Sequence, residues 1–473
     1  VFRATTTIII LLLSIPAFAQ SFDEQRIKLG DTLAPQLLDL ASWATRNGLS
    51  GERDRVYEQL IHFQPENRQA RRILRYRRTK EVWKQSSGYR RPGNKKEENL
   101  PEFSNRQDAI LVPYRDQMKE LLAREGAKAS FRHRHAAYLD LLALDPEDEA
   151  LRGLAGESRL GDAWVLTATA EAHKRQESLP KAADAARDAV AEPKASPPTD
   201  QESEFSLEWS AGFETPKVRV VGTVSENEIR RVCRFAEAAA PIFSEAVNAR
   251  TELFDNTVIH LFKPDDGRTF LKEHPGVTDS NRAFALKLKH WTIPATAHVV
   301  SWAREEVVRV DAAVRQAVAL LLWRQFKITL DHGWVSEGVG LYMTRLIAGT
   351  RLNWFVTPSE YARSPEEDAF KNRLMQNKSN WLEECAILLK RRSPGFQTLM
   401  GRNVNDMSTE DLVMAYALAQ YLIEGRPRDV PAVLRMVGKK VPAHEIASKA
   451  LDIDLPALEE QFKRWVSETN SRR

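Results

Sequence analysis

The chain has 473 residues, 42% apolar and 28% charged, with 69 Lys and Arg against 65 Asp and Glu for a net charge of +4. That length accommodates two or three domains, and that composition excludes wholesale disorder. Two cysteines, Cys233 and Cys385, exclude a disulfide-built scaffold, and the mild charge does not mark a nucleic-acid binder.

The first nineteen residues read as a signal peptide: Arg3, then the apolar run Ile8 to Leu13, then Ala17-Phe18-Ala19. The pattern predicts cleavage before Gln20 and a periplasmic or extracellular location. The apolar run is too short to cross a bilayer, and no transmembrane segment is expected after cleavage. No cysteine follows it, so no lipid anchor is indicated.

Residues 20–190 carry a helical apolar period and an internal repeat. Val56-Tyr57 through Phe63-Gln64-Pro65-Glu66-Asn67 returns 81 positions later as Ala137-Tyr138 through Leu144-Asp145-Pro146-Glu147-Asp148. The same offset maps Arg71 to Arg152, Ile73 to Leu154 and Trp83 to Trp164. Each copy predicts a helix, a Pro-Glu-Asx turn, a second helix and a short segment ending in Trp. The pair resembles degenerate tetratricopeptide-like helical hairpins. The basic clusters at 71–78 and 89–96 read as solvated faces. His133 and His135 would splay apart on a helix and make a poor ligand pair. Residues 191–204, AEPKASPPTDQESE, read as a linker.

Strands are expected at Phe205 to Trp209, Val218 to Val221, Asn256 to Phe262 and Ala297 to Trp302, with an amphipathic helix carrying Ile229 to Phe243. His260 is expected to pack or hydrogen-bond within its sheet, and both cysteines to pack as small hydrophobes. A long helix should span Glu305 to Phe326, then a second should carry HGWVSEGVGLYM, His332 to Met343. Everything beyond reads as helical. The predicted fold class is α+β: a helical-repeat N-terminal domain, a core over 205–350 with a small mixed sheet and core helices, and a helical C-terminal subdomain over 351–473.

Trp334, Glu337, Gly338 and Tyr342 form a Trp-x-x-Glu-Gly helix. This resembles the third-ligand helix of the peptidase MA-like gluzincins, exported zinc metallopeptidases that often carry helical repeats ahead of the catalytic domain. The resemblance covers roughly residues 205–468 and extends to Ala415-Tyr416-Ala417-Leu418-Ala419-Gln420-Tyr421-Leu422 and to the ending Leu451 through Val466. It implies a His-Glu-x-x-His motif one helix upstream. There the chain has Arg315-Gln316-Ala317-Val318-Ala319. Arg315 stands for the first ligand, Gln316 for the general base and Ala319 for the second ligand, leaving Glu337 as the remaining member. Guanidinium and methyl groups offer zinc no lone pair, and a carboxamide takes no proton at neutral pH. The ancestral zinc site is therefore expected to be lost, with no metal or other cofactor. Glu337, if buried, is expected to keep Arg315 as its partner.

Three readings follow. The first is an inactive pseudoenzyme that binds a peptide or envelope protein along a sheet edge, expected at Ala297, His298, Val299, Val300, Ser301 and Trp302. The second is an envelope scaffold acting through its helical repeats. The third is a metallohydrolase with a rebuilt site of His290, His298 and His332 beside Glu337. The oligomeric state is left open.

Overall fold

The computed structural model describes residues 21–471, apart from 81, 256, 287, 294–297, 353, 355–364, 377–378 and 392–394. The signal segment and Ala297 lie outside the described residues. Two compact units divide the chain, with the break between Ala155 and Gly156.

The first unit contains α1 (Phe22–Arg46), α2 (Ser50–Phe63), α3 (Arg68–Ile73), the hairpin β1 (Tyr76–Thr79) and β2 (Val82–Gln85), then α4 (Leu100–Glu125), α5 (Phe131–Leu144) and α6 (Glu149–Leu154). A capping box between Ser21 and Glu24 starts α1. Leu37, Ala41, Val56, Leu60 and Met118 share its core. Buried Asp140 accepts from Arg26 at 2.7 Å and contacts His62 Nε2 at 2.8 Å, which satisfies the carboxylate.

The repeat extends to the caps. Helices α2 and α5 are offset by 81 residues at both ends, as are α3 and α6. Asn67 and Asp148 each cap the second helix, accepting from the third residue on at 3.0 Å. Arg71 and Arg152 each donate through Nε to the carbonyl of Pro65 or Pro146. The segment ending in Trp is a β-hairpin in both copies, so each copy departs from a plain helical hairpin. The second hairpin, β3 (Glu157–Leu160) and β4 (Ala163–Leu166), opens the second unit. The break thus cuts the second copy between helix and hairpin.

After α7 (Thr167–Asp188) come β5 (Lys194–Ala195), α8 (Asp200–Ser203), β6 (Ala211–Glu214), β7 (Val218–Gly222), α9 (Glu226–Val247) and β8 (Thr257–Leu261). Then follow α10 (Pro264–Glu273), α11 (Asp279–Ala285), β9 (His290–Ile293), β10 (His298–Ser301), α12 (Glu306–Phe326) and α13 (Gly333–Ala348). The remaining helices are α14 (Pro365–Leu374), α15 (Trp381–Lys390), α16 (Phe396–Met400), α17 (Thr409–Gln420), α18 (Val430–Gly438), α19 (Ala443–Ala450) and α20 (Leu455–Asn470). A π-helical turn, Tyr421–Gly425, extends α17. The six-stranded sheet runs β5-β6-β7-β8-β10-β9; β7, β8 and β10 are parallel and the other pairings antiparallel. One face carries α9 and α12; the other carries Phe262, Phe270, Ile293 and Val300. A small mixed sheet among helices is the α+β arrangement expected.

Three expectations change. The run 191–204 is no free linker: β5 pairs with β6, and buried Glu202 binds Arg219 at 2.6 Å and His260 at 3.0 Å. Burial opposes ionisation of Glu202, yet those hydrogen bonds hold its carboxyl well below the usual range. Phe205 to Trp209 is not a strand; Phe205 and Trp209 instead pack on Phe270 and Phe262, and the strand begins at Ala211. Finally, β10 is not the sheet edge. The strand β9, unforeseen from sequence, pairs outside it and takes the edge position.

Candidate functional site

Helix α12 is buried along most of its length and still carries two guanidinium groups inward. Arg309 meets Glu228 of α9 through two hydrogen bonds of 2.6 and 2.8 Å. Arg315 hydrogen-bonds Glu337 Oε1 on α13, with 6% and 1% of their surfaces exposed. Buried charges of either sign require such partners. The second oxygen, Glu337 Oε2, is buried with no hydrogen-bond partner among the described residues. Helix α13 is held close to α17 by Gly338, where an added Cβ would lie 2.2 Å from the Ala415 carbonyl oxygen. Gly340 faces Arg315, with room for a Cβ 3.5 Å from Nε.

Arg315, Gln316, Ala319 and Glu337 line one open cleft of about 430 Å³, between α12, α13 and the edge strand β9. Thr292 on β9 donates through its hydroxyl to Gln316 Oε1 at 2.6 Å, tying the strand to the helix. Burial, then the positive charge of Arg315, push the His290 imidazole down to about 3, so it is neutral. Trp323 and Leu330 form an apolar wall and remain 46% and 48% exposed. Trp302 N–H donates to the Lys289 carbonyl at 2.8 Å, which fixes the phase of the β9–β10 ladder. Antiparallel alternation then turns the main-chain groups of His290 and Thr292 to the outer edge.

The structure separates the three histidines of the rebuilt-metal reading. His290 borders the cleft. His298 projects to the opposite sheet face, 5.4 Å from the His260 ring and 6.3 Å from the His274 ring. His332 occupies the N-cap position of α13, but its ring accepts from Thr329 N–H ahead of the helix at 3.0 Å, and it borders a different cavity with Trp334. His260 packs against Trp209, Phe262 and Phe270 and meets Glu202. Cys233 and Cys385 are buried and unpaired. Tyr416 borders neither the cleft nor Arg315; its hydroxyl accepts from Arg345 at 3.3 Å in another pocket.

The cleft's donor set does not fit the zinc that the resemblance implies. Its cation-facing carboxylate is occupied by a guanidinium, and positions 315 and 319 supply no lone pair. Among the described residues, no cluster of three or more His, Cys, Asp and Glu is arranged to hold a metal ion. No described helix is long and apolar enough to cross a membrane. Sequence signals for β9 were slight: HWTI is short and ends at Pro294. Neither known protein families, nor characterised proteins, nor solved structures give a match to this chain.

Proposed function

We propose that this chain is an exported pseudoenzyme of the gluzincin metallopeptidase type, which binds a peptide or protein segment in its cleft without cleaving it. The observation that carries the reading is that Arg315, Gln316, Ala319 and Glu337 converge on one open cleft beside an edge strand. A hydrolase of this kind requires a Lewis acid and a base at those positions, and neither is offered by these side chains. What the cleft retains is suited to recognition. The edge-strand main-chain groups at Thr292 can pair with an extended segment, while Trp323 and Leu330 provide an apolar wall. An open cleft favours a binding role over an inert scaffold, in which side chains would plug it.

The test is capture of extended peptides from an immobilised peptide array by the chain lacking its first nineteen residues. Ala319→Trp fills the cleft, and Thr292→Pro removes an outward N–H. Selective capture lost in both variants supports the reading. Capture unaffected by either variant, or stoichiometric zinc in the purified protein, overturns it. Absence of capture returns the function to the helical repeats.

A further inference from the structure

A second pocket, of about 370 Å³, opens where α7, α13 and the α17–π-turn segment meet. Apolar stripes normally face one another where helices pack. Here each helix turns polar groups inward: Gln176, Arg175 and Arg187 from α7, Tyr342 and Arg345 from α13, and Tyr416, Gln420 and Glu424 from the third segment. Glu424, in the π turn, follows Tyr416 and Gln420 at a spacing of four and lines the same pocket. Such turns are often found at functional sites, and bundle cores build ligand sites from facing side chains.

The charges do not cancel. Three guanidinium groups line the pocket against the carboxylate of Glu424, and of the three only Arg187 has an ion pair among the described residues, with Asp184. That carboxylate accepts from Tyr342 Oη at 3.0 Å, from Gln420 Nε2 at 3.0 Å and from Gln176 Nε2 at 2.8 Å. Neither Arg175 nor Arg345 forms an ion pair with a described carboxylate. Arg175 donates to the Glu245 and Ala246 carbonyls, and Arg187 to those of Leu346 and Ile347. Both therefore bind C-terminal helix ends, whose partial negative charge accounts for part of theirs. Arg345 lies in the last turn of α13 but donates to no helix-end carbonyl among the described residues. It stands in the pocket wall, exposed, and donates to the Tyr416 hydroxyl, which keeps its own proton to give.

We propose that this pocket binds the oxyanion of a small organic molecule, a carboxylate or a phosphate, on the Arg345 guanidinium and the Tyr416 hydroxyl, with Arg175 supplying further positive charge. The volume exceeds that of a bare oxyanion and leaves room for a ligand body against Tyr342 and Leu346. The site is separate from the cleft and does not depend on how the cleft is used.

Titration calorimetry on the same leaderless chain tests it, with inorganic phosphate in one arm and citrate in the other. Saturable binding of either probe, weakened about tenfold or more by Arg345→Gln, supports the proposal; that is the scale of one charge-assisted hydrogen bond. The stronger arm identifies the oxyanion. Arg175→Gln and Tyr416→Phe should each weaken binding less, and Ala319→Trp in the cleft should leave it unchanged. Circular dichroism of each variant confirms that the helices remain. No saturable heat with either probe, or full affinity in Arg345→Gln, overturns the proposal.

Discussion

Arg315 and Glu337 form a buried ion pair between consecutive helices, at two of the positions where the proposed gluzincin ancestry would place groups around a metal. The guanidinium takes the role of counter-charge to a carboxylate that would otherwise be stranded. Arg315→Ala should destabilise the second unit by about 3–5 kcal/mol, because it leaves a buried anion unpaired. Replacing both residues by apolar ones, Arg315→Leu with Glu337→Met, should be far milder or neutral. Urea unfolding of the single and double variants measures the contrast. Equal losses in both would mean that packing, rather than charge pairing, holds the helices.

The two glycines of α13 should respond oppositely. Gly338→Ala forces a Cβ to within 2.2 Å of the Ala415 carbonyl, so the α13–α17 contact must open. A loss of about 1–3 kcal/mol is expected for such overpacking. At Gly340 the nearest atom is Arg315 Nε at 3.5 Å, an ordinary contact. Gly340→Ala should therefore be neutral or stabilise by up to about 1 kcal/mol through helix propensity. Thermal unfolding of the two variants side by side reads the difference.

The helical repeat, the strand at Val218, the strand at Thr257 and the α12–α13 pair were legible because periodicity and spacing specify them locally. The Arg315–Glu337 pair was legible for another reason: a buried carboxylate demands a partner. The sheet edge was not legible. His290 to Ile293 is only four residues long, and its place outside β10 depends on tertiary pairing that no local pattern encodes. Composition also misled at 191–204, where Pro and Ser suggest a linker. Glu202 fixes that run through Arg219 and His260, partners 17 and 58 residues away. The polar pocket around Glu424 escaped for the same reason, since its groups come from three separated helices.

Acid should weaken the second unit through the histidines on the outer sheet face. Burial lowers the imidazoles of His260, His274 and His298, the last to about 4. The unfolded chain takes these protons near pH 6.5, so stability is present above that value and falls as pH drops toward 4. For half-buried His298 alone the loss is about 1–2 kcal/mol after solvent screening is discounted. Glu202, lowered too, adds to the loss at still lower pH. Urea midpoints at pH 7.5 and 5 should differ less in His298→Gln than in the parent chain.

The two repeat copies share left-handed backbone at two positions but differ in the residue that adopts it. Gly156 and Gly161 adopt φ of 79° and 61°, and their counterparts Arg75 and Lys80 adopt 55° and 49°. Left-handed backbone costs a residue with a Cβ about 1–2 kcal/mol, part of which glycine would return as unfolded-state entropy. Arg75→Gly and Lys80→Gly should thus each stabilise the first hairpin, by about 0.5–1 kcal/mol. Gly161→Lys should do the reverse in the second. Amide exchange of the two hairpins resolves each effect locally, and a loss of protection in Lys80→Gly would show that the lysine is held there by other interactions.

The proposed ancestry makes a constructive prediction. Positions 315 and 319 lie one helical turn apart and border the same cleft as Glu337. Imidazoles at both, with the carboxylate already present, would complete a three-ligand set with an open coordination position. The variant Arg315→His, Gln316→Glu, Ala319→His should therefore bind zinc at one equivalent and gain thermal stability with it, since metal that binds only the folded state stabilises that state. Gln316→Glu alone should bind none. Adding Glu337→Ala to the triple variant should weaken zinc binding sharply, because two imidazoles alone form an incomplete site. A folded triple variant that takes up no zinc would show that Glu337 does not point where a metal could sit, and the resemblance to gluzincins would then rest on a coincidence of helix sequence.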